Sequence, residues 1–289
     1  MSATGFSAFF ADNSAPLAVI LGTNEVASAV AVKLRKAHFS IILSHDPYPP
    51  VIRRGMAFYD ALFDDVAIIH GVTGERAETA LELADAASRK NCIAVTSLQL
   101  CDLLALRRIP ILIDARIQKR VVTPDFRYYV GLSVGLGPNF TIGENCDIAV
   151  ETLPANAGAL VAEGSTADDD GEPDALGEVG RERFIIAPSE GVWHTPFDIG
   201  ATATRGQSLG NLAGISLHAP MDGVLRGVAR DGAFVPAGVK LIEIDPRGRR
   251  AKWTGLDARS RLIADATLLA IRDAQKRRKR APGFAQTPF

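Results

Sequence analysis

The chain is short of the features that would assign it quickly. Lys plus Arg (32) and Asp plus Glu (33) nearly cancel to a formal charge of -1, so no global field exists to hold nucleic acid or an anionic membrane. Three cysteines (Cys92, Cys101, Cys146) form no CxxC or other metal-ligand spacing, and an odd number is not a disulfide framework. They read as small buried apolar residues in a reducing cytoplasm. No apolar run reaches the roughly 18 residues needed to cross a bilayer, and the first residues lack a basic stretch ahead of their apolar ones. His38, His45, His70, His194 and His218 are scattered without the i,i+4 spacing of a metal site. Three adjacent aspartates, Asp168 to Asp170, repel one another and lack calcium-loop spacing, so no metal is expected. No lysine occurs between Arg120 and Val239.

What is present is globular: 47% hydrophobic and 22% charged over 289 residues, enough for two cores. "LAVILG" (17–22) is an apolar strand ending in glycine, and Val26, Val30 and Leu34 then recur at helical spacing. "SIILS" (40–44) completes a βαβ unit. "VAIIHGV" (66–72) reads as a strand, 75–90 as a helix, "CIAVTS" (92–97) as a strand, 98–109 as a helix, and "PILIDARI" (110–117) and "VGLSVGLG" (130–137) as strands. This alternation predicts a Rossmann-like parallel sheet, whose ligands sit at the carboxyl ends of its strands.

The first βα turn, "GTNEVA", keeps only the first glycine and the closing alanine of a dinucleotide fingerprint. Asn24 stands where a second glycine would admit a pyrophosphate, although the helix amino end still favours an anion. Candidate ligand-binding residues are Gly22, Thr23, Asn24 and Glu25 in this turn and His45 after the second strand. Arg53 and Arg54 form a donor pair in the following loop, and Asp114 and Arg116 lie past a later strand. Gly135, Gly137 and Pro138 form a bend suited to an anion or to tight backbone packing. No nucleophile–base pair is visible, so no catalytic residue and no reaction is assigned.

In the second half "APSEGV" (187–192) returns as "APMDGV" (219–224). Ala187/Ala219, Gly191/Gly223, Gly200/Gly232, Gly206/Gly238 and Leu209/Leu241 all share one offset of 32 residues. Two strand-rich copies would each expose a face and edges unless they pair, which predicts a pseudo-twofold β unit. These phrases resemble the lipoyl and biotinyl carrier domains, barrel-sandwich hybrids built of two such halves. The lysine those carriers modify is missing from "GNLAGISLHA" between the copies, so lipoate and biotin are excluded. The expected organisation is a leader (1–14), a Rossmann-like unit (15–152), an acidic linker or flap (153–184), the duplicated β unit (185–248), a helix packing back with an apolar face of Leu262, Ala266, Leu269 and Ile271 (249–280), and a tail (281–289).

The G-x-x-x-x-A turn, "PPVIRR" with "MAFYDAL", "LIDARI", "VGLGPNFTIGENCDIAVET", "RFIIAPSEGV" and "APMDGVLRGVARDGAFVPAGVKLIEIDPRG" occur in an order that resembles the accessory proteins of the selenium-dependent molybdenum hydroxylase system, from about Leu17 to Ile271. The resemblance implies a cytoplasmic maturation or assembly factor, more a non-enzyme than an enzyme. It would serve a partner metalloenzyme or bind a small nucleotide- or molybdopterin-like anion, with homo-oligomerisation open. That family's first turn reads G-x-G-D-L-A, so Asn24 and Glu25 mark this chain as a diverged member, as does His45 at a usually acidic position. The alternatives are an NAD(P)-dependent oxidoreductase and a non-catalytic structural subunit of a larger complex.

Overall fold

A computed structural model describes residues 15–119, 121–169 and 171–280. The expected leader 1–14, the tail 281–289 and Asp170 of the aspartate run lie outside the described residues. The chain is a mixed α/β protein with one large, mostly parallel sheet and two smaller antiparallel ones.

The large sheet begins with β1 (Leu17–Leu21), α1 (Glu25–Lys36) and β2 (Ser40–Ser44), whose continuous apolar runs bury every strand residue, as a sheet covered on both faces requires. It continues through α2 (Ala61–Asp64), β3 (Val66–Ile69), β4 (Val72–Arg76), α3 (Ala80–Ser88), β5 (Cys92–Thr96), α4 (Leu100–Leu106), β6 (Ile109–Asp114), β7 (Val130–Leu136) and β8 (Ile148–Val150). The strand order is β3-β4-β5-β2-β1-β6-β7-β8, parallel except for the edge pair β3/β4. The chain therefore reverses direction across the sheet between β1 and β6, which is the switch point where α/β sheets open a crevice.

The expected single strand at 66–72 is instead a hairpin. His70 (φ 51°) and Gly71 (φ 79°) turn left-handed, and the chain doubles back as β3 and β4. The expected helix from residue 75 starts only at Ala80. Thr79 caps it, accepting from the Glu82 amide while Glu82 returns a bond to the Thr79 amide, and residues 72–76 remain in the sheet. After β8 the chain folds back on itself: Thr166 is buried against Phe140, and the Ala167 amide donates to Glu151 Oε1 at 2.7 Å.

The remaining strands are β9 (Phe184–Ile186), β10 (Gly191–His194), β11 (Thr202–Ala203), β12 (Ser208–Leu212), β13 (Ile215–His218), β14 (Gly223–Val228), β15 (Phe234–Val235) and β16 (Lys240–Asp245). They form two four-stranded sheets, β13-β12-β10-β15 and β9-β16-β14-β11. The 32-residue offset carries β9 onto β13, β10 onto β14, β11 onto β15 and β12 onto β16, so one strand order becomes the other. Each copy lends its first and third strands to its partner's sheet, β9 and β11 in one direction and β13 and β15 in the other. Trp193, Leu209, Leu212, Leu225, Val228, Leu241, Ile242 and Ile244 fill the space between the sheets.

The closing helix α5 (Ala258–Arg280) packs on α1, with Ile263, Ala264, Leu268 and Ile271 joining the core of the large sheet. The expected apolar face is corrected in part: Ile271 is buried and Ala266 packs against the core, but Leu262 and Leu269 are more than half exposed, because Ile263 and Leu268 take the inward positions. Among the described residues no helix is long and apolar enough to cross a membrane.

Gly135 is where the sheet tolerates no side chain. A Cβ there would lie 2.1 Å from the Phe140 ring. Gly135→Ala should therefore cost on the order of 1–3 kcal/mol through overpacking, read as a lower midpoint in urea unfolding with an unchanged slope.

Candidate functional site

Two polar clusters lie beyond the carboxyl ends of the strands. The first occupies the switch point. Gly22 closes β1 with φ 102°, and its amide donates to Ser44 O at 2.7 Å. A side chain at Gly22 would press on the Ala115 carbonyl at 3.1 Å, so β1 and β6 meet backbone to backbone. Asn24 follows as the N-cap of α1. Its Oδ1 accepts from the amides of Val26 and Ala27, both at 3.0 Å, and its Nδ2 donates to Ala115 O at 2.7 Å. One side chain thus satisfies the helix amides an anion would use and bridges the strands that would flank it.

Beside it, buried Thr23 shares a 2.9 Å hydrogen bond between its hydroxyl and His45 Nδ1. The imidazole lies 5.2 Å from the Tyr59 ring. Burial pushes the His45 pKa down, against the opposing pull of Asp46, so the ring is neutral at pH 7. Asp46 accepts from the Tyr48 amide at 3.0 Å and from Gln118 Nε2 at 2.8 Å. Asp114 holds Arg116 through two bonds, 2.9 Å from Nε and 2.6 Å from Nη2, and Arg116 Nη1 reaches to 3.7 Å from Asp46. Gly137, left-handed at φ 104°, and buried Pro138 flank this cluster, with Gly137 close to Ile117 and Thr152.

The second cluster joins the large sheet to the duplicated unit. Arg53 donates from Nε to Glu243 Oε2 at 2.6 Å, from Nη2 to Glu243 Oε1 at 3.0 Å and from Nη1 to Glu25 Oε1 at 2.9 Å. Arg183 Nε reaches the same Glu243 at 3.1 Å, and Arg226 Nε lies 3.6 Å away. Asp257, ahead of α5, faces Arg226 at 3.4 Å and Arg53 at 3.8 Å. Glu243 has no solvent-exposed surface. Burial alone would raise its pKa, but Arg53, Arg226 and Arg183 outweigh that and hold it at about 2. Arg54 turns to the other side, donating to Val228 O at 2.9 Å and pairing with Asp60 and Asp198.

Of the residues expected to bind a ligand, Thr23, Asn24, His45, Asp114 and Arg116 converge at the switch point. Glu25, Arg53 and Arg54 are drawn into ion pairs at the junction. Gly135 serves backbone packing. Reading the sequence alone missed Glu243, Arg183, Arg226 and Asp257. The signal available was weak: "KLIEID" alternates charged and apolar residues like a strand with one face in solvent, and it does not show that a second unit covers that face. The switch-point cluster can hold a proton on a neutral imidazole and orient a hydroxyl. Among the described residues His45 Nε2 has no hydrogen-bond partner.

No family model matches the chain. It is 30% identical over 256 residues to the uncharacterized protein YqeB of Escherichia coli (strain K12), a match covering 88% of this chain and 47% of YqeB. The chain thus spans about half the length of that relative. Among solved structures it is similar to the apo ectoine utilization protein EutE (DoeB) of Ruegeria pomeroyi, at 10% identity and a TM-score of 0.25 over 80% of this chain and 86% of that one. An aspartoacylase family protein of Mesorhizobium loti gives 12% identity and a TM-score of 0.26 over 82% and 87%. TM-scores this low carry no argument about fold or chemistry.

Two outcomes test these clusters. Glu243→Gln removes the negative charge that Arg53 and Arg183 bond and Arg226 faces, and should cost about 3–5 kcal/mol in denaturant unfolding. In the unsubstituted chain Glu243 binds its proton at the ordinary carboxylate pKa when unfolded and only near about 2 when folded. Its stabilisation is therefore complete above about pH 4.5 and is lost as the pH falls towards about 2. Asn24→Ala should cost about 1 kcal/mol of stability through the lost cap. It should also increase amide exchange at Val26 and Ala27 without altering exchange in β12.

Proposed function

We propose that the chain is a non-catalytic accessory factor of molybdenum hydroxylase-type enzymes that works by holding a partner protein rather than by transforming a small molecule. The observation that carries this reading is Asn24. Where the resembled family has a glycine open to a phosphate, this chain spends one side chain on both the helix amides and the Ala115 carbonyl across the crevice. Arg53 and Arg54, the cations that would neutralise an anion, are already committed to Glu243, Glu25, Asp60 and Asp198. A pyrophosphate would have to displace Asn24, so the geometry counts against a nicotinamide-dependent oxidoreductase.

The 32-residue relation supports reading the duplicated unit as a barrel-sandwich hybrid of the lipoyl and biotinyl kind. Its β12–β13 hairpin turns through Ala213 and Gly214 and carries no attachment lysine. Such a unit offers a rigid docking body instead of a swinging arm. The order of motifs between Leu17 and Ile271 supplies the molybdenum hydroxylase association.

The test is direct association. Mixed at micromolar concentration, the full chain and a molybdenum hydroxylase of the same organism should co-elute in size-exclusion chromatography. The metal content of the hydroxylase, by mass spectrometry, should depend on the chain during its production. A ligand selective for the folded state raises its melting temperature. ATP, NADH and a molybdopterin at about 1 mM should leave that temperature within about a degree. Stabilisation by NADH without co-elution would move the assignment to the oxidoreductase reading.

A further inference from the structure

Around Glu243 the charges of the junction balance: Arg53, Arg183 and Arg226 are matched by Glu243, Glu25 and Asp257. Lys240, the first residue of β16, is left over. Its Nζ lies 4.0 Å from the centre of the Phe184 ring, and it makes no hydrogen bond or ion pair among the described residues. The same ring carries the Arg183 guanidinium at 4.4 Å. An ammonium group held over a ring beside other cations is relieved only by an added anion. Its side chain reaches solvent at the rim of the junction. Crowding of the amine by protein, then repulsion from Arg53, Lys119 and Arg183, nonetheless outweigh the pull of Glu243 and lower its pKa to about 8.

Lys119, in the loop after β6 and close enough to contribute that repulsion, shows what the spot accepts. Its Nζ lies 2.7 Å from Asp169 Oδ1, and the two side chains are 48% and 24% exposed. A carboxylate from the segment that folds back after β8 thus sits on one lysine, while its neighbour has none.

We propose that Lys119 and Lys240 form an oxyanion site at this rim, which takes a phosphate or carboxylate group between the two ammonium groups with Asp169 as the internal competitor on Lys119. The site is separate from the first βα turn, which Asn24 closes, and it uses none of the cations committed to Glu243. It therefore stands whether or not the docking role does. A free phosphate compound and an acidic segment of a partner protein present the same group to it. Exposed ion pairs are weak, so a single oxyanion binds in the millimolar range and nucleotide at about 1 mM leaves the site mostly empty. A segment carrying several carboxylates binds more tightly, because each further contact is made at high effective concentration.

Acylation of the full chain by acetic anhydride, read lysine by lysine with mass spectrometry at constant ionic strength, tests the proposal. A bound anion keeps the Lys240 amine protonated and unreactive. Inorganic phosphate at about 20 mM should slow Lys240 at least threefold and leave exposed Lys36 and Lys90 unchanged. Asp169→Asn removes the competitor and should lower the half-protecting phosphate concentration severalfold. Lys119→Met should raise it severalfold, both variants melting within about a degree of the parent. A peptide of about eight aspartates separates the two sources: half-protection at least tenfold below phosphate assigns the site to an acidic protein segment, and weaker protection assigns it to a free oxyanion. Lys240 protected no more than Lys36, or half-protection that neither Asp169→Asn nor Lys119→Met moves, would overturn the inference.

Discussion

Glu243 fixes the architecture. Its one carboxylate, wholly removed from water, accepts from Arg53 in the loop after β2 and from Arg183 ahead of β9, and faces Arg226 on β14. Those arginines in turn draw in Glu25 at the start of α1 and Asp257 ahead of α5. Burying an ion network is close to neutral against an apolar packing of equal volume, because desolvation offsets much of the Coulomb attraction. What it supplies is geometry. Arginine forks accept few orientations, and removing any partner would leave a bare charge in the interior, so the duplicated unit has one position on the large sheet. Arg183 Nη2 and Arg226 Nε, both buried and without partners, show how crowded that single acceptor is.

This constraint shapes what remains at the switch point. Arg53 stands next to the first βα turn, where it would be the natural charge to hold an anion, but Glu243 draws it away into the junction. With the nearest cation committed, an open helix amino end would leave its first amides without a strong partner. Asn24 supplies one from within the chain and ties the crevice shut at Ala115. The polar residues left there pair locally, Thr23 with His45 and Asp114 with Arg116, while Asp46 accepts from Tyr48 and Gln118. The neutral His45 ring follows from the same enclosure, since burial against Tyr59 outweighs the neighbouring carboxylate.

How much of this is legible in the sequence depends on whether neighbours in the chain or neighbours in space set the outcome. "LAVIL", "SIILS" and "CIAVT" are buried on both faces by covering helices, so their apolar runs identify them without other knowledge. The 32-residue offset is equally plain, because turn glycines such as Gly200 and Gly232, at φ 88° and 77°, need the left-handed region in both copies. The β3/β4 hairpin was hidden because "VAIIHGV" holds its turn in His70–Gly71, a pair that interrupts the apolar run by only two residues. On α5, Leu262 and Leu269 satisfy helical periodicity without entering the core; Ile263 and Leu268 take those places beside the expected Ile271. The fate of Arg53 and Arg54 could not be read locally, since their partners Glu243, Asp198 and Val228 lie more than 140 residues away.

The duplication explains why the protein has one occupied face and one open one. Two copies of a strand pattern, paired so that each lends two strands to the other, produce two outer faces with the same backbone. At that stage both could dock the same segment, and a chain with a single Ile52–Arg54 segment would face a choice between two registers. Charge resolves it. Glu243 in one copy, against Asn211 in the other, gives Arg53 a buried carboxylate on one face only, and Gly227 opens space for Ile52 where Thr195 stands in the other copy. Discrimination between near-identical faces needs both an attraction at the right one and an obstacle at the wrong one, and these two positions supply both. The second face is then released from holding the protein together. Its polar row and its exposed Val192–Phe234 pair are under no internal requirement.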